Sequence, residues 1–228
     1  MKAKFGAIVV AGSGKLGGHV ASKNRSGAYF RTKVTPINPQ SSAQVGARAV
    51  LTLLAQNWRG LTEGERTAWN SAVQGFKSTN IFGDIVNPSG LNLYTRLNAN
   101  ILNGGGTVIT APPAPGEAPN YITFSAVGDE SGQTLAVTFS PSPVPANTAY
   151  ILEATEQVSP GVTFLKNKYR KLKTIAAAAT SPNAAGAAYI ARFGALVAGQ
   201  KIGLRMKAID LTTGLVSQAT SAIITVVP

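Results

Sequence analysis

The spacing of hydrophobic residues changes character along the chain, and the changes outline its organisation. Between Ser41 and Ile101 apolar residues recur at helical spacing. Ala47, Val50, Leu51, Leu54 and Trp58 predict a first helix that Gly60 ends. Trp69, Val73 and Phe76 give a second helix one apolar face, and Leu93, Leu97 and Ile101 predict a third, capped by Ser89. Ser41-Ser-Ala-Gln44 and Thr62-Glu-Gly-Glu65 both fit capping boxes. In such a box the hydroxyl accepts from the amide three residues on, and the side chain there reaches back. The two tryptophans are expected at the centre of one small helical core.

On either side of this stretch the period shortens. Phe5–Ala11, Leu16–Ser22 and Ala28–Val34 predict strands, with turns at Gly12-Ser-Gly14 and over residues 23–27. Six glycines from Gly6 to Gly27 make this segment a poor core by itself, so it is expected to lie against something else. Beyond residue 118, seven β-rich runs are separated by turns: Tyr121–Val127, Thr134–Phe139, Tyr150–Thr155, Tyr169–Ile175, Ala187–Phe193, Lys201–Asp210 and Ser221–Val227. Their number and spacing predict a two-sheet sandwich. Asn103-Gly-Gly-Gly106 and Ala111-Pro-Pro-Ala-Pro-Gly116 read as a linker. The fold class is therefore α+β in two domains. A basic extended arm (1–36) leads into a small helical domain (37–103), and a linker (104–117) joins that to an all-β sandwich (118–228).

Charge sharpens this picture. The formal net charge is +12, and its distribution is uneven. Residues 1–60 carry nine Lys or Arg and no Asp or Glu. Such a field favours an acidic partner, whether a protein face, nucleic acid or a lipid head-group surface. The arm cations Lys15, Lys23, Arg25, Arg31 and Lys33 are the candidate partner-binding residues. Tyr29 and Phe30 between them would also suit stacking on bases, so nucleic-acid contact is the alternative. A second basic run, Lys166 to Lys173, is expected to be a solvated strand. No run of eighteen apolar residues is present, so no membrane partner is expected, and Ile8–Ala11 is too short for a signal-peptide core.

Catalytic chemistry finds little support. Without cysteine there is no disulfide, thiolate metal site or thiol nucleophile. Gly12-Ser-Gly-Lys-Leu-Gly17 is a literal G-x-G-x-x-G, but a dinucleotide site needs a helix opening there and an acid about twenty residues on. A glycine-rich stretch follows instead, and the first acid is Glu63. His19 is the only histidine, with no acid near it in sequence and no nucleophile elbow around any serine. Glu63 and Glu65 read as helix-start residues, Asp129-Glu130 as a turn, and Glu153 with Glu156 as an ordinary strand edge. No catalytic, cofactor-binding or metal-ligating residue is assigned, and no cofactor is expected.

Two resemblances add to this reading. Pro115-Gly-Glu-Ala-Pro119 precedes the first sandwich strand. Ala195-Leu-Val-Ala-Gly-Gln200 leads into Lys201–Asp210, and Leu211-Thr-Thr-Gly-Leu-Val-Ser217 follows as a turn. This half of the chain resembles Ig/fibronectin type III-like modules, which bind or space rather than catalyse. Residues 12–100 resemble virion structural proteins of tailed phages. The pattern is Gly14-Lys-Leu-Gly-Gly18, Arg25, Gly27-Ala-Tyr-Phe-Arg31, Pro36-Ile-Asn-Pro39, Gln44, Arg48, Trp58-Arg-Gly-Leu-Thr62, Arg66 and Trp69-Asn70. The second resemblance implies a non-catalytic virion component present in many copies. An auxiliary capsid protein that decorates or stabilises the shell is the favoured form, with other virion proteins as partners, the major capsid protein first. A neck, connector or tail component is the alternative within that class. A nucleic-acid-binding protein and, lower, a carbohydrate-binding adhesion module are the alternatives outside it.

Overall fold

The computed structural model describes residues 2–3, 12–24, 27–79, 85–120 and 122–228. The chain divides into two units, 1–45 and 46–228, each considered by itself.

The first unit is a small antiparallel sheet. Its strands are β1 (Lys2–Ala3), β2 (Gly14–Leu16), β3 (His19–Asn24) and β4 (Gly27–Thr32), in the order β1-β4-β3-β2. The strand expected over Leu16–Ser22 is broken, because Gly17-Gly18 forms a two-residue hairpin turn with Leu16 paired to His19. Gly17 has φ +56°, which glycine adopts without a Cβ penalty. The segment expected to be an extended arm is thus a hydrogen-bonded ladder. No described residue in 1–45 is buried. The expected strand over Phe5–Ala11 lies outside the described residues.

In the second unit three helices come first: α1 (Ser42–Gly60, beginning just before the unit boundary), α2 (Glu63–Ala72) and α3 (Gly90–Gly104). The Thr62 box is complete: Glu65 N–H donates to Thr62 Oγ1 at 3.3 Å, and Thr62 N–H donates to Glu65 Oε2 at 2.8 Å. A 3-10 turn, Val73–Phe76, continues α2, and the short strands β5 (Ser78–Thr79) and β6 (Ile85–Val86) pair with each other. Trp69 is fully buried, but Trp58 is only half-buried. The expected tryptophan centre belongs instead to Tyr94 of α3. Its ring lies 5.2 Å from Trp69, edge-on, and 5.4 Å from Trp58. Aromatic quadrupoles favour such tilted contacts.

The sandwich strands are β7 (Thr123–Asp129), β8 (Thr134–Ser140), β9 (Thr148–Ala154), β10 (Arg170–Ile175), β11 (Asn183–Ala184), β12 (Lys201–Asp210) and β13 (Thr220–Thr225). They form two antiparallel sheets, β10-β9-β12-β13 and β11-β8-β7. Alternate residues of β8, β9 and β12 meet between the sheets, among them Leu135, Val137, Tyr150, Leu152, Leu204 and Met206. The strand expected over Ala187–Phe193 is instead helix α4 (Gly186–Phe193), and the seventh strand is the short β11 before it. Alanine and arginine favour helix, and Tyr189 and Phe193, four residues apart, meet at 5.0 Å on one face.

Residues 46–103 of the expected helical domain and the expected sandwich, 118–228, share this second unit, while residues 37–45 fall in the first. The end of α3 is tied to the sandwich by Asn100 Nδ2, which donates to Gly214 O at 2.9 Å, and Leu215 packs against the helical core. The segment expected to be a linker is in part an ordered strap. Asn98, fully buried, accepts from Ile109 N–H at 2.7 Å and donates back to Ile109 O at 3.2 Å. Trp69 Nε1 donates to Thr110 O at 2.6 Å. These side chains supply partners to backbone groups of a part-buried segment that has no ladder of its own.

Candidate interaction surface

Register decides how the arm cations are displayed. Directly opposed residues in an antiparallel pair share a face, and the face alternates along each strand. Lys15 and Arg31 both stand opposite Val20, one on each flanking strand, so the three side chains project together. Tyr29, opposite Ser22, joins that face. Lys23 stands opposite Ala28 and belongs to the other face, with Leu16, His19, Ala21 and Phe30. The five candidates therefore form no single cluster. Lys15 and Arg31 share one face, Lys23 faces the other way, Lys33 follows β4, and Arg25 lies outside the described residues. Lys33 N–H donates to Gly18 O at 2.8 Å, while its side chain is exposed.

One face is thus basic with an aromatic, and the other is largely apolar, with Leu16 67% exposed. Lys15 and Arg31 are two strand spacings apart, about 10 Å. That is about one Debye length at 0.1 M salt, so each still feels the other's charge. No carboxylate precedes Glu63, and among the described residues no ion pair forms within residues 1–45. Gly12–Gly17 leads into a hairpin rather than a helix, so these glycines make no phosphate-binding helix start.

In the sandwich the cations are arranged differently. Glu153 is not at a strand edge: β9 is an inner strand, flanked by β10 and β12. It accepts from Arg205 Nε at 2.6 Å and from Lys207 Nζ at 2.9 Å. Burial opposes ionisation of Glu153, but the hydrogen bonds and charges of Lys207 and Arg205 outweigh it and hold its pKa below 4.5. Arg205 also lies over the Tyr169 ring, 4.6 Å from its centroid. The expected solvated basic strand is only partly so. Lys166, Lys168, Arg170 and Lys171 are exposed, yet Lys171 Nζ donates to Asn103 O at 2.7 Å and the half-buried Lys173 Nζ to Asn183 Oδ1 at 2.8 Å. Burial, then the nearby Lys207 charge, pushes the Lys171 pKa down. These cations are held within the fold, whereas among the described residues Lys15 and Arg31 form no ion pair. The strand pairing that puts Lys15 and Arg31 together follows from the turn at Gly17-Gly18, two residues expected to lie within a strand.

No protein-family model matches the chain, and no curated protein matches it. Among solved structures, a crystal structure of an Fn3-like protein from Clostridium thermocellum is similar, with 20% sequence identity and a TM-score of 0.31. The match covers 48% of this chain and 95% of that one. Among the described residues, no helix is long and apolar enough to cross a membrane.

Proposed function

We propose that this chain is a non-catalytic structural protein of a virion, an auxiliary capsid protein held to its neighbours by the N-terminal sheet. The observation that carries this reading is the sheet without a core. Its described strands are paired in register, yet it buries no described side chain, and it presents Lys15 and Arg31 on one face with no ion pair among the described residues. A sheet gains little from its ladder unless one face is covered. A partner with an apolar strip and acidic groups would satisfy both faces. The resemblance of residues 12–100 to tailed-phage virion proteins makes that partner another virion subunit, the major capsid protein first. A neck, connector or tail component would use the same chemistry at another place in the particle.

A second reading has an observation of its own. Tyr29 shares its face with Lys15 and Arg31, an arrangement that also suits single-stranded nucleic acid. One comparison separates the two. The Lys15→Ser/Arg31→Ser variant is co-produced with the particle proteins, and its copies per purified particle are counted by mass spectrometry. In parallel, wild-type binding to DNA is measured at low and moderate salt. The proposal expects many copies of wild type per particle, few of the variant, and weak DNA binding. Absence of wild type from particles contradicts it. So does normal incorporation of the variant alongside tight DNA binding that falls steeply with salt.

A further inference from the structure

The two margins of the sandwich differ in kind. The β10 margin carries Arg170, Lys171 and Lys173, with a register shift between Lys171 and Lys173. Charge and a bulge are the usual devices that keep an edge from pairing with another chain. At the opposite margin β7 and β13 lie side by side: Thr220 Oγ1 donates to Ile122 O at 2.6 Å, and Val227 N–H donates to Gly128 O at 2.9 Å. This margin has no lysine or arginine in either strand. It exposes Val127 (61%), Ile223 (49%) and Val227 (44%), and beside Ile223 the loop residue Phe164 (71%). Phe164, Ile223, Tyr169 and Arg205 line a cleft of about 540 Å³ there. Isolated exposed apolar residues are ordinary, but a run of them along one edge marks a contact surface.

Charge along this margin says what covers it. Lys166, exposed, lies at the Phe164 end. Glu130 lies at the other end, its N–H donating to Val227 O at 2.9 Å. Between them β13 runs from Ile223 to Val227, about 13 Å of extended chain. A base at one end and an acid at the other, with apolar residues between, is complementary to its own reversed copy. An isologous two-fold contact joins the same patch on two subunits and pairs residue i with j twice. A partner with charge of a single sign would meet repulsion at one end.

We infer that the β7–β13 margin is a self-association surface, on which a second copy of this chain docks with reversed direction. Lys166 of each copy then meets Glu130 of the other, and Phe164 and Ile223 are covered by the valine end. This contact is independent of the N-terminal sheet. It gives a protein attached to a shell a way to link laterally to a neighbouring copy.

Sedimentation velocity of the full chain from low micromolar to sub-millimolar concentration tests it. Wild type is expected to shift from monomer to dimer, and Ile223→Lys or Val127→Lys to remain monomeric. Both of these positions are exposed, and thermal melts by circular dichroism check that each variant keeps the wild-type fold. Lys166→Glu and Glu130→Lys each turn two attractions into two repulsions and should weaken the dimer about tenfold. Their combination restores both pairs and should recover most of the affinity. A wild type that stays monomeric, a dimer indifferent to both lysine variants, or a double swap no tighter than the single ones overturns the inference.

Discussion

The N-terminal sheet and the C-terminal sandwich are both built of antiparallel hydrogen-bonded strands, yet among the described residues only the sandwich encloses a core. In the sandwich, alternate residues of β8, β9 and β12 are buried between two sheets, and its central carboxylate, Glu153, is answered by two cations. In the sheet of residues 1–45 the same alternation buries no described residue, and among the described residues its cations form no ion pair. Ladder hydrogen bonds exchange for those with water and contribute little net free energy, whereas apolar burial contributes about 25 cal/mol per Å². The difference teaches that one β region is stable by its own packing, whereas the other depends, under the proposed function, on cover from outside. Substitutions should therefore divide sharply between large effects on stability and effects on association alone.

The largest effect is expected at Trp69. It is fully buried against Tyr94, and its indole N–H holds the strap at Thr110. Trp69→Ala should cost about 3–5 kcal/mol in denaturant unfolding of the whole chain. Glu153→Gln comes next. It leaves Arg205 and Lys207 without their shared carboxylate, at about 1.5–3 kcal/mol. Its pH dependence has a definite sign. The folded pKa of Glu153 is held below its ordinary 4.5, so its stabilisation is complete above that value and is lost as pH falls through the folded pKa. Wild type should thus lose stability in acid below about pH 4.5 more steeply than Glu153→Gln, measured by urea midpoints across pH. Asp129 and Asp210, also lowered by hydrogen bonds from their own turns against the burial of each carboxyl, add to the acid limb in both proteins.

Asn98→Ala tests whether the strap is as ordered as its hydrogen bonds require. It strands Ile109 N–H and C=O and should cost about 1–3 kcal/mol. It should also open residues 106–110 to limited proteolysis, which wild type should resist. The smallest effect is expected in the sheet. Lys15→Ser, Arg31→Ser and Leu16→Ser should each change the unfolding midpoint of residues 46–228 by less than about 0.5 kcal/mol equivalent. A loss as large as that of Trp69→Ala would erase the contrast between the two regions.

Much of the helical region was legible because its signals are local. The Thr62 and Ser89 caps, the stop near Gly60 and the Leu93–Leu97–Ile101 stripe each depend on residues within one or two turns. Six of the seven sandwich runs were legible in the same way, with Lys201–Asp210 matching β12 end to end. The failures have a common physical cause. Ala187–Phe193 fits both periods over so short a run, and only its alanines and the Tyr189–Phe193 spacing favour helix. Tyr94 gives no sign in sequence that it, rather than Trp58, will be enclosed by Trp69. Glycines and prolines at 103–116 suggested a linker because the anchors, Asn98 and Trp69, come from helices before it in the chain. The candidate surface depended on register. The basic composition of the first sixty residues was plain, but which cations share a face is decided by a turn at Gly17-Gly18. A one-residue change in pairing transfers every side chain to the opposite side.

The central proposal, that the N-terminal sheet needs a partner to be stable while the sandwich is stable by its own core, is tested most directly by amide hydrogen exchange. Exchange is followed in the free protein and in the assembled particle, comparing β3 and β4 with β9 and β12. The account predicts that β9 and β12 are protected in both states. It predicts that β3 and β4 exchange quickly when free and become protected on assembly, with the change lost in the Lys15→Ser/Arg31→Ser variant. Amides of β3 and β4 protected in the free protein as strongly as those of β12, or still unprotected in the particle, would contradict it.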